Sequence, residues 1–282
     1  MNEPSNGGYR PLGGAWVHEG AKLGENVVLE PGAVIGAEVV LGADSWVGSG
    51  ATVKGPATLG IGNQVYPGAV IGEAPQDIGY QGEPTRVEIG DKNVFREGVT
   101  VHRGTVKGGG LTVVGSHNYF MVGSHVGHDC VVEDHVILSN DVLLAGHCHV
   151  GSHANFGGGV AIVQYTTVGR LTFVGGLSGT ARDLPPFIIH DGVPALPRSI
   201  NLVGARRGGI PRERIHSLKE AFHYLFEDDD SMFGREDVDA ARQELERRGI
   251  VTEEVDELLN FMKASREGKY GRMLQARKTK QR

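Results

Sequence analysis

Hydrophobic residues return at every sixth position of this chain from Val17 to Val174, in three successive registers. The first holds Val17, Leu23, Leu29, Ile35, Leu41, Val47, Val53, Leu59, Val65 and Ile71, most of them followed directly by glycine. The second holds Ile89, Phe95 and Val101. The third runs from Val114 through Phe120, Val126, Val132, Leu138, Leu144 and Val150 to Phe156, Ile162, Val168 and Val174. A helix would need apolar residues three and four apart, and a long strand would need strict alternation. A period of six fits very short strands joined by tight turns, with the anchor pointing inward and glycine taking the left-handed backbone after it. Small residues two places before the anchors, such as Ala15, Ala33, Ala51, Ala69, Cys130 and Cys148, fit alternate inward pointing along each strand.

Three hexads per turn make a triangular prism whose coils stack as parallel strands ~4.8 Å apart, so each residue sits above its counterpart three hexads earlier. This pattern resembles the hexapeptide-repeat left-handed β-helix family. The handedness rests on that resemblance, because parallel crossovers are otherwise right-handed. The expected fold is therefore an all-β left-handed parallel β-helix with a small C-terminal α-helical domain. Two stretches break the repeat, "EAPQDIGYQGEPTR" at 73–86 and "RGTVKGGGLT" at 103–112. Insertions in a solenoid become flank loops, which commonly carry binding surface. Open strand edges and flat faces predict closure into a symmetric oligomer.

Of 44 glycines only 4 lie beyond position 210, which places the prism at 1–210 and a helical domain at 211–282. Pro211 suits a first-turn position, and Ile215, Leu218, Phe222 and Leu225 make one apolar helical face. Val238, Ala241 and Leu245 make a second, and Val255, Leu258, Leu259 and Met262 a third behind a Thr252 cap.

A net charge of −6 argues against nucleic acid as the main partner. No apolar run approaches the ~18 residues of a membrane span, and no signal-peptide pattern opens the chain, so a cytoplasmic address is expected. The cysteines, 2 in number, show no knuckle spacing. They should stack as buried fillers rather than form a disulfide. From Lys263 to Arg282 basic residues dominate, which suits either a solvated end or an acidic partner.

Chemistry concentrates in Ser124–Cys130, "SHVGHDC". Three hexads beyond His128 lies Gly146, so a glycine amide is expected one coil from that imidazole, with His147 roughly 5–7 Å away. A base beside an exposed N–H donor is what acyl transfer needs. Asp129 could set the His128 tautomer, although neighbours on a strand normally point to opposite faces. The competing reading is a metal. His117, His135 and His153 share the same spacing, and γ-class carbonic anhydrases are histidine-bearing prisms, yet a vertical ladder does not converge three nitrogens on one ion.

The blocks "GEPTRVEIGDKNVFREGVTVHRGT" (82–105), "HVGHDC" (125–130), "LAGH" (144–147), "FVGG" (173–176), "DLPPF" (183–187) and "NLVGARRGG" (201–209) resemble the acyl-carrier-protein-dependent UDP-N-acetylglucosamine O-acyltransferases that open lipid A synthesis. The resemblance implies a homotrimer with sites between neighbouring prisms, no cofactor, and two substrates: an acyl carrier protein and a UDP-amino sugar. It implies that His128 is the general base, that Asp129 orients it, and that Gly146 donates to the oxyanion. It places His125, His147, Gln76 and Asp77 near the sugar and acyl groups, Gln164, Asn201 and Arg207 at the nucleotide end, and Gly176 where acyl length is set. Arg206, Arg207, Arg212, Arg214 and the basic tail would face the acidic carrier. The chain departs from the family pattern at Val163, Val203, Gly208 and Gly79, which leaves a 3-amino sugar acceptor or a non-catalytic binding scaffold as alternatives.

Overall fold

The computed structural model describes residues 8–227 and 231–276; Arg277, Lys278, Lys280 and Arg282 of the basic tail lie outside the described residues. Short strands build three parallel sheets that form the faces of a prism. The first face stacks Ala15–His18, Val34–Ile35, Thr52–Val53, Val70–Glu73, Thr100–His102, His125–Val126, Leu143–Leu144, Ala161–Ile162 and Gly179–Thr180. The second runs from Lys22–Leu23 to Thr167–Val168, and the third from Val28–Leu29 to Phe173–Val174 and Ile188–Asp191.

Pairing follows the hexad arithmetic: Val34 pairs with Thr52 and Thr52 with Val70, three hexads at each step. The insertions stretch it. Ala57 pairs with Val87, and Val87 with Thr112, each partner lying well beyond the three-hexad step. Both insertions leave the prism after first-face strands on successive coils, so they emerge at one corner, directly beneath the turn that carries His128.

The anchors fill the interior, which is fully buried from Ile35 to Val174. Leu23 and Leu29 are half-buried because no coil lies beneath them. Cys130 and Cys148 are buried free thiols that donate to the carbonyls of Ala145 and Val163. An internal asparagine ladder ties successive coils together. Asn63 Oδ1 accepts from the Asn93 amide at 3.0 Å, Asn93 Oδ1 from the Asn118 amide at 2.9 Å, and Asn118 Oδ1 from Val136 at 2.7 Å. One edge of the first sheet and one of the third are covered by antiparallel strands, Tyr9–Leu12 against Ala15–His18 and Leu196–Ile200 against Ile188–Asp191.

Helical structure begins earlier than Pro211. Helix α1 (Leu202–Arg207) starts behind Asn201, whose side chain accepts from the Gly204 amide, so a cap the glycine count overlooked opens this segment. Pro211 is the residue before α2 (Arg212–Phe222) rather than its first turn, and Leu225 lies in a π-helical turn beyond it. Helix α3 (Val238–Arg247) and α4 (Glu253–Glu267) follow, α4 capped by Thr252 as expected. Their apolar faces form a second core with Phe187, Ile188 and Ile200. A hairpin, Gly268–Lys269 with Arg272–Ala276, then returns to the last coils. Among the described residues no helix is long and apolar enough to cross a membrane.

Candidate active site

The corner after the first face stacks three turns: His128-Asp129, Gly146-His147 and Gln164-Tyr165. Asp129, His147 and Tyr165 adopt left-handed backbone, with φ of 61°, 62° and 65°. That conformation overturns the strand-alternation objection to Asp129, because in a turn neighbouring side chains can meet. Asp129 Oδ2 lies 2.7 Å from His128 Nδ1, and both side chains are buried. A carboxylate only accepts, so Nδ1 carries the hydrogen, and in the neutral ring the lone pair is on Nε2.

The second insertion clamps the carboxylate. Thr105 donates its amide to Asp129 Oδ1 and its hydroxyl to Oδ2, each at 2.7 Å, and the Asp129 amide donates to Thr112 Oγ1 at 2.8 Å. A side chain at Gly108 would collide with the Asp129 carboxyl, so only glycine lets the Val106–Gly108 turn close over it. Burial alone would raise the Asp129 carboxyl, but the hydrogen bonds from His128 and Thr105 outweigh it and hold the group below the usual carboxylate range.

Gly146 lies directly against the imidazole. A methyl group there would come within 2.5 Å of His128 Cε1 and 2.7 Å of Nε2. At equivalent turn positions the amides of Ile61, Ser116 and Ser152 donate to the carboxylates of Asp91, Asp134 and Glu133. Among the described residues the Gly146 amide has no such partner. His147 meets His128 edge-on with ring centroids 5.0 Å apart, and its Nε2 is 3.6 Å from Asp129 Oδ2. Burial lowers the His147 pKa.

Gln76, His125, His128, Gly146 and Gln164 line one cavity with Val163, Thr100 and His102. His125 Nδ1 bonds Thr100 Oγ1 at 2.7 Å, and burial pushes its pKa down to about 4, which keeps the ring neutral. His102, buried beside it, bonds the Ala74 carbonyl at 2.7 Å and so ties the first insertion to the first face. Asp77, next to Gln76, does not line this cavity; it accepts from the Gly79 amide at 2.6 Å with Lys107 Nζ 3.7 Å away. Sequence reasoning missed Thr105, Thr112, Thr100, His102 and Lys107. Three of these lie in the 103–112 insertion, where the hexad count gives no position.

His117, His135 and His153 stack face to face at 5.0 and 4.7 Å, nearly parallel, so their nitrogens run side by side. Among the described residues, the group whose ligand atoms do converge is His128, Asp129 and His147, within 4.8 Å of one another, and its Nδ1 is committed to the carboxylate.

The profile of the family described as UDP N-acetylglucosamine O-acyltransferase, domain 2, matches residues 183–270. The acyl-[acyl-carrier-protein]--UDP-N-acetylglucosamine O-acyltransferase of Anaeromyxobacter sp. is 47% identical over 172 residues, 61% of this chain and 67% of the relative. The crystal structure of a UDP-N-acetylglucosamine acyltransferase from Bacteroides fragilis superposes with a TM-score of 0.84 at 31% identity, covering 90% of this chain and 97% of that one. The Campylobacter jejuni enzyme gives 0.80 at 32% identity, covering 88% and 94%. This chain belongs to the UDP-N-acetylglucosamine O-acyltransferase family. Its fold is the left-handed β-helix of these acyltransferases.

The residues this family resemblance assigned do not all meet within one chain. Asn201 and Arg207 line a separate hollow on the third face, with His135, His153, Asn155 and Val203. The Asn201 side chain is already committed, donating to the Leu171 carbonyl at 2.9 Å and capping α1. Gly176 sits at the corner between the third and first faces, packed near Gly158. Of the departures, Val163 lines the His128 cavity and Val203 the second hollow. At Gly79 an added methyl would touch Lys107 Nζ at 2.9 Å, so a lysine from the other insertion occupies that space. The basic surface is smaller than the sequence suggests. Arg214 pairs with Glu253 and Glu254, Lys263 with Asp239, and Arg272 is buried.

Proposed function

We propose that this acyltransferase moves a 3-hydroxyacyl group from the thioester of an acyl carrier protein to the 3-hydroxyl of UDP-N-acetylglucosamine, the reaction that opens lipid A synthesis. The observation behind the mechanism is the buried His128–Asp129 pair, one coil from a glycine amide that has no partner among the described residues. His128 Nε2 takes the proton of the sugar hydroxyl as its oxygen attacks the thioester carbonyl. The Gly146 N–H then faces the developing oxyanion. Collapse breaks the C–S bond, and the proton on His128 passes to the departing thiolate, so ester and free carrier thiol are the products. Asp129, held by Thr105, keeps Nδ1 protonated and supports the imidazolium. The thioester supplies the driving force, and the scheme calls for no cofactor.

The His128 cavity opens on the first face, while Asn201 and Arg207 stand on the third. Packing the first face of one copy onto the third face of the next would join them, and three such steps close a ring. A homotrimer fits this, with exposed Leu143, Val122 and Leu177 supplying apolar contact. Arg206, Arg212, His216 and Lys219 line a basic hollow that suits an acidic carrier protein. A cytoplasmic site of action follows from these substrates.

The test is turnover with 3-hydroxyacyl carrier proteins of several lengths and UDP-N-acetylglucosamine. His128→Ala should lower kcat by about 100-fold or more. Near-normal turnover of that variant refutes the base assignment. Product only from the 3-amino sugar analogue moves the acceptor, and tight sugar-nucleotide binding without product from any donor replaces the enzyme by a scaffold.

A further inference from the structure

At many corners of the prism a turn is tied to the one beneath it by a backbone hydrogen bond. His147 N donates to His128 O at 2.9 Å and Tyr165 N to Gly146 O at 3.3 Å. The same bond recurs at the other corners, from His153 to Asp134 and from Leu177 to Gly158. The next step at the active-site corner would be Asp183 N to Gln164 O. It is absent: the Asp183 amide donates instead to Gly271 O at 2.8 Å, and Gln164 O accepts from Arg272 Nη1 at 2.9 Å. Both substitutes belong to the C-terminal hairpin.

We infer that Arg272 is a positioning residue for the reaction: it replaces the backbone bond that the last coil does not make to Gln164 and so holds that turn of the active-site corner. Three observations support the role beyond the single bond. Arg272 is 9% exposed, so its charge is placed there at a desolvation cost that a surface residue would not bear. Asp183 fastens the hairpin in place, accepting from Met273 N at 2.6 Å and from Thr167 N at 2.7 Å. The turn it holds reaches the catalytic pair: the Tyr165 ring stacks on His147 at 4.4 Å and 6°, and His147 meets His128. Gln164 and Val163, on the same turn, line the cavity. The hairpin thus sets the height of the wall against which the sugar nucleotide would lie, a consequence that rests on the proposed acceptor.

Two variants and two readouts test this. Arg272→Met keeps the length and removes the donors; Arg272→Lys restores one charged donor. Loss of a charge-assisted bond predicts that Arg272→Met raises KM for UDP-N-acetylglucosamine by about 10-fold or more while KM for the acyl carrier protein stays within about twofold, and that Arg272→Lys recovers most of the difference. Amide exchange of the 163–167 segment should quicken by about 10-fold in Arg272→Met and return toward the parent rate in Arg272→Lys. Unchanged exchange there, or kcat and both KM values worsening together with thermal stability, overturns the inference. If the parent enzyme fails to turn over UDP-N-acetylglucosamine, the functional reading falls alone, and the exchange comparison still decides the role of Arg272.

Discussion

Gly146→Ala isolates the geometry of the active site without deleting a functional group. The added methyl would lie 2.5 Å from His128 Cε1, 2.7 Å from Nε2 and 2.9 Å from Nδ1, against about 3.5–4 Å for ordinary contact. The ring must retreat by roughly 1 Å, and it cannot do so freely because Asp129 grips Nδ1 at 2.7 Å and is itself gripped by Thr105. A misplacement of roughly 1 Å costs about 100-fold in rate, and the methyl also obstructs the approach to the Gly146 amide. The expected loss in kcat is therefore about 100- to 1,000-fold. The backbone of Gly146 is not in the left-handed region, so alanine brings no backbone strain, and the stability cost should be the overpacking of the ring, about 1–3 kcal/mol. Steady-state kinetics and urea unfolding measure the two effects. In a His128→Ala background the ring is gone, so the same alanine should cost little stability, giving a coupling of about the size of the clash. Turnover within about 10-fold of the parent, or an equal stability cost in both backgrounds, refutes the stacked geometry.

Thr105→Val removes the hydroxyl bond to Asp129 Oδ2 but keeps the amide bond to Oδ1, so kcat should fall by about 10-fold with KM values little changed; a parallel rise in KM would place Thr105 elsewhere. Asn93→Ala breaks the internal ladder, leaving the buried Asn118 amide unpaired while Asn63 Oδ1 keeps its bond from the backbone amide of residue 93, and should lower unfolding free energy by about 1–3 kcal/mol in urea titrations. His190 is fully buried and burial depresses its pKa to about 4, so between about pH 4 and 6.5 the unfolded chain takes a proton the native chain refuses, and stability rises with pH across that window. Asp183, lining the same cavity and raised to about 6 by burial, works the other way between its ordinary value and 6. His190→Gln should therefore cost about 2 kcal/mol less at pH 4.5 than at pH 7, and a pH-independent cost would show that His190 does not titrate in this way.

How far the site could be read ahead of the structure depended on whether a residue lies on the repeat. His128, Gly146 and His147 were legible because each sits at a fixed place in a hexad, and three hexads return the chain to the same corner. The two cysteines and the anchors follow for the same reason. Asp129 was legible only through family resemblance, since strand alternation pointed it away from His128 and its φ of 61° is what turns it back. Thr105, Thr112 and Lys107 were not legible at all. They lie in an insertion that stretches the pairing of Val87 with Thr112 beyond three hexads, and no period predicts where a loop folds back. Arg272 is far along the chain from the Gln164 carbonyl it holds, with no repeat linking the two. Asn201 and Arg207 stand outside this arithmetic for another reason: it relates positions within one prism, whereas their hollow and the His128 cavity open on different faces. The repeat therefore supplies a rigid lattice of turns, and the residues that make this corner different from the other two come from what interrupts it. The first insertion brings Gln76, the second grips Asp129, and the hairpin donates to the Gln164 carbonyl. A prism with the same hexads but neither insertion would keep His128 stacked on Gly146 and lose the Thr105 and Thr112 bonds that hold Asp129 in place.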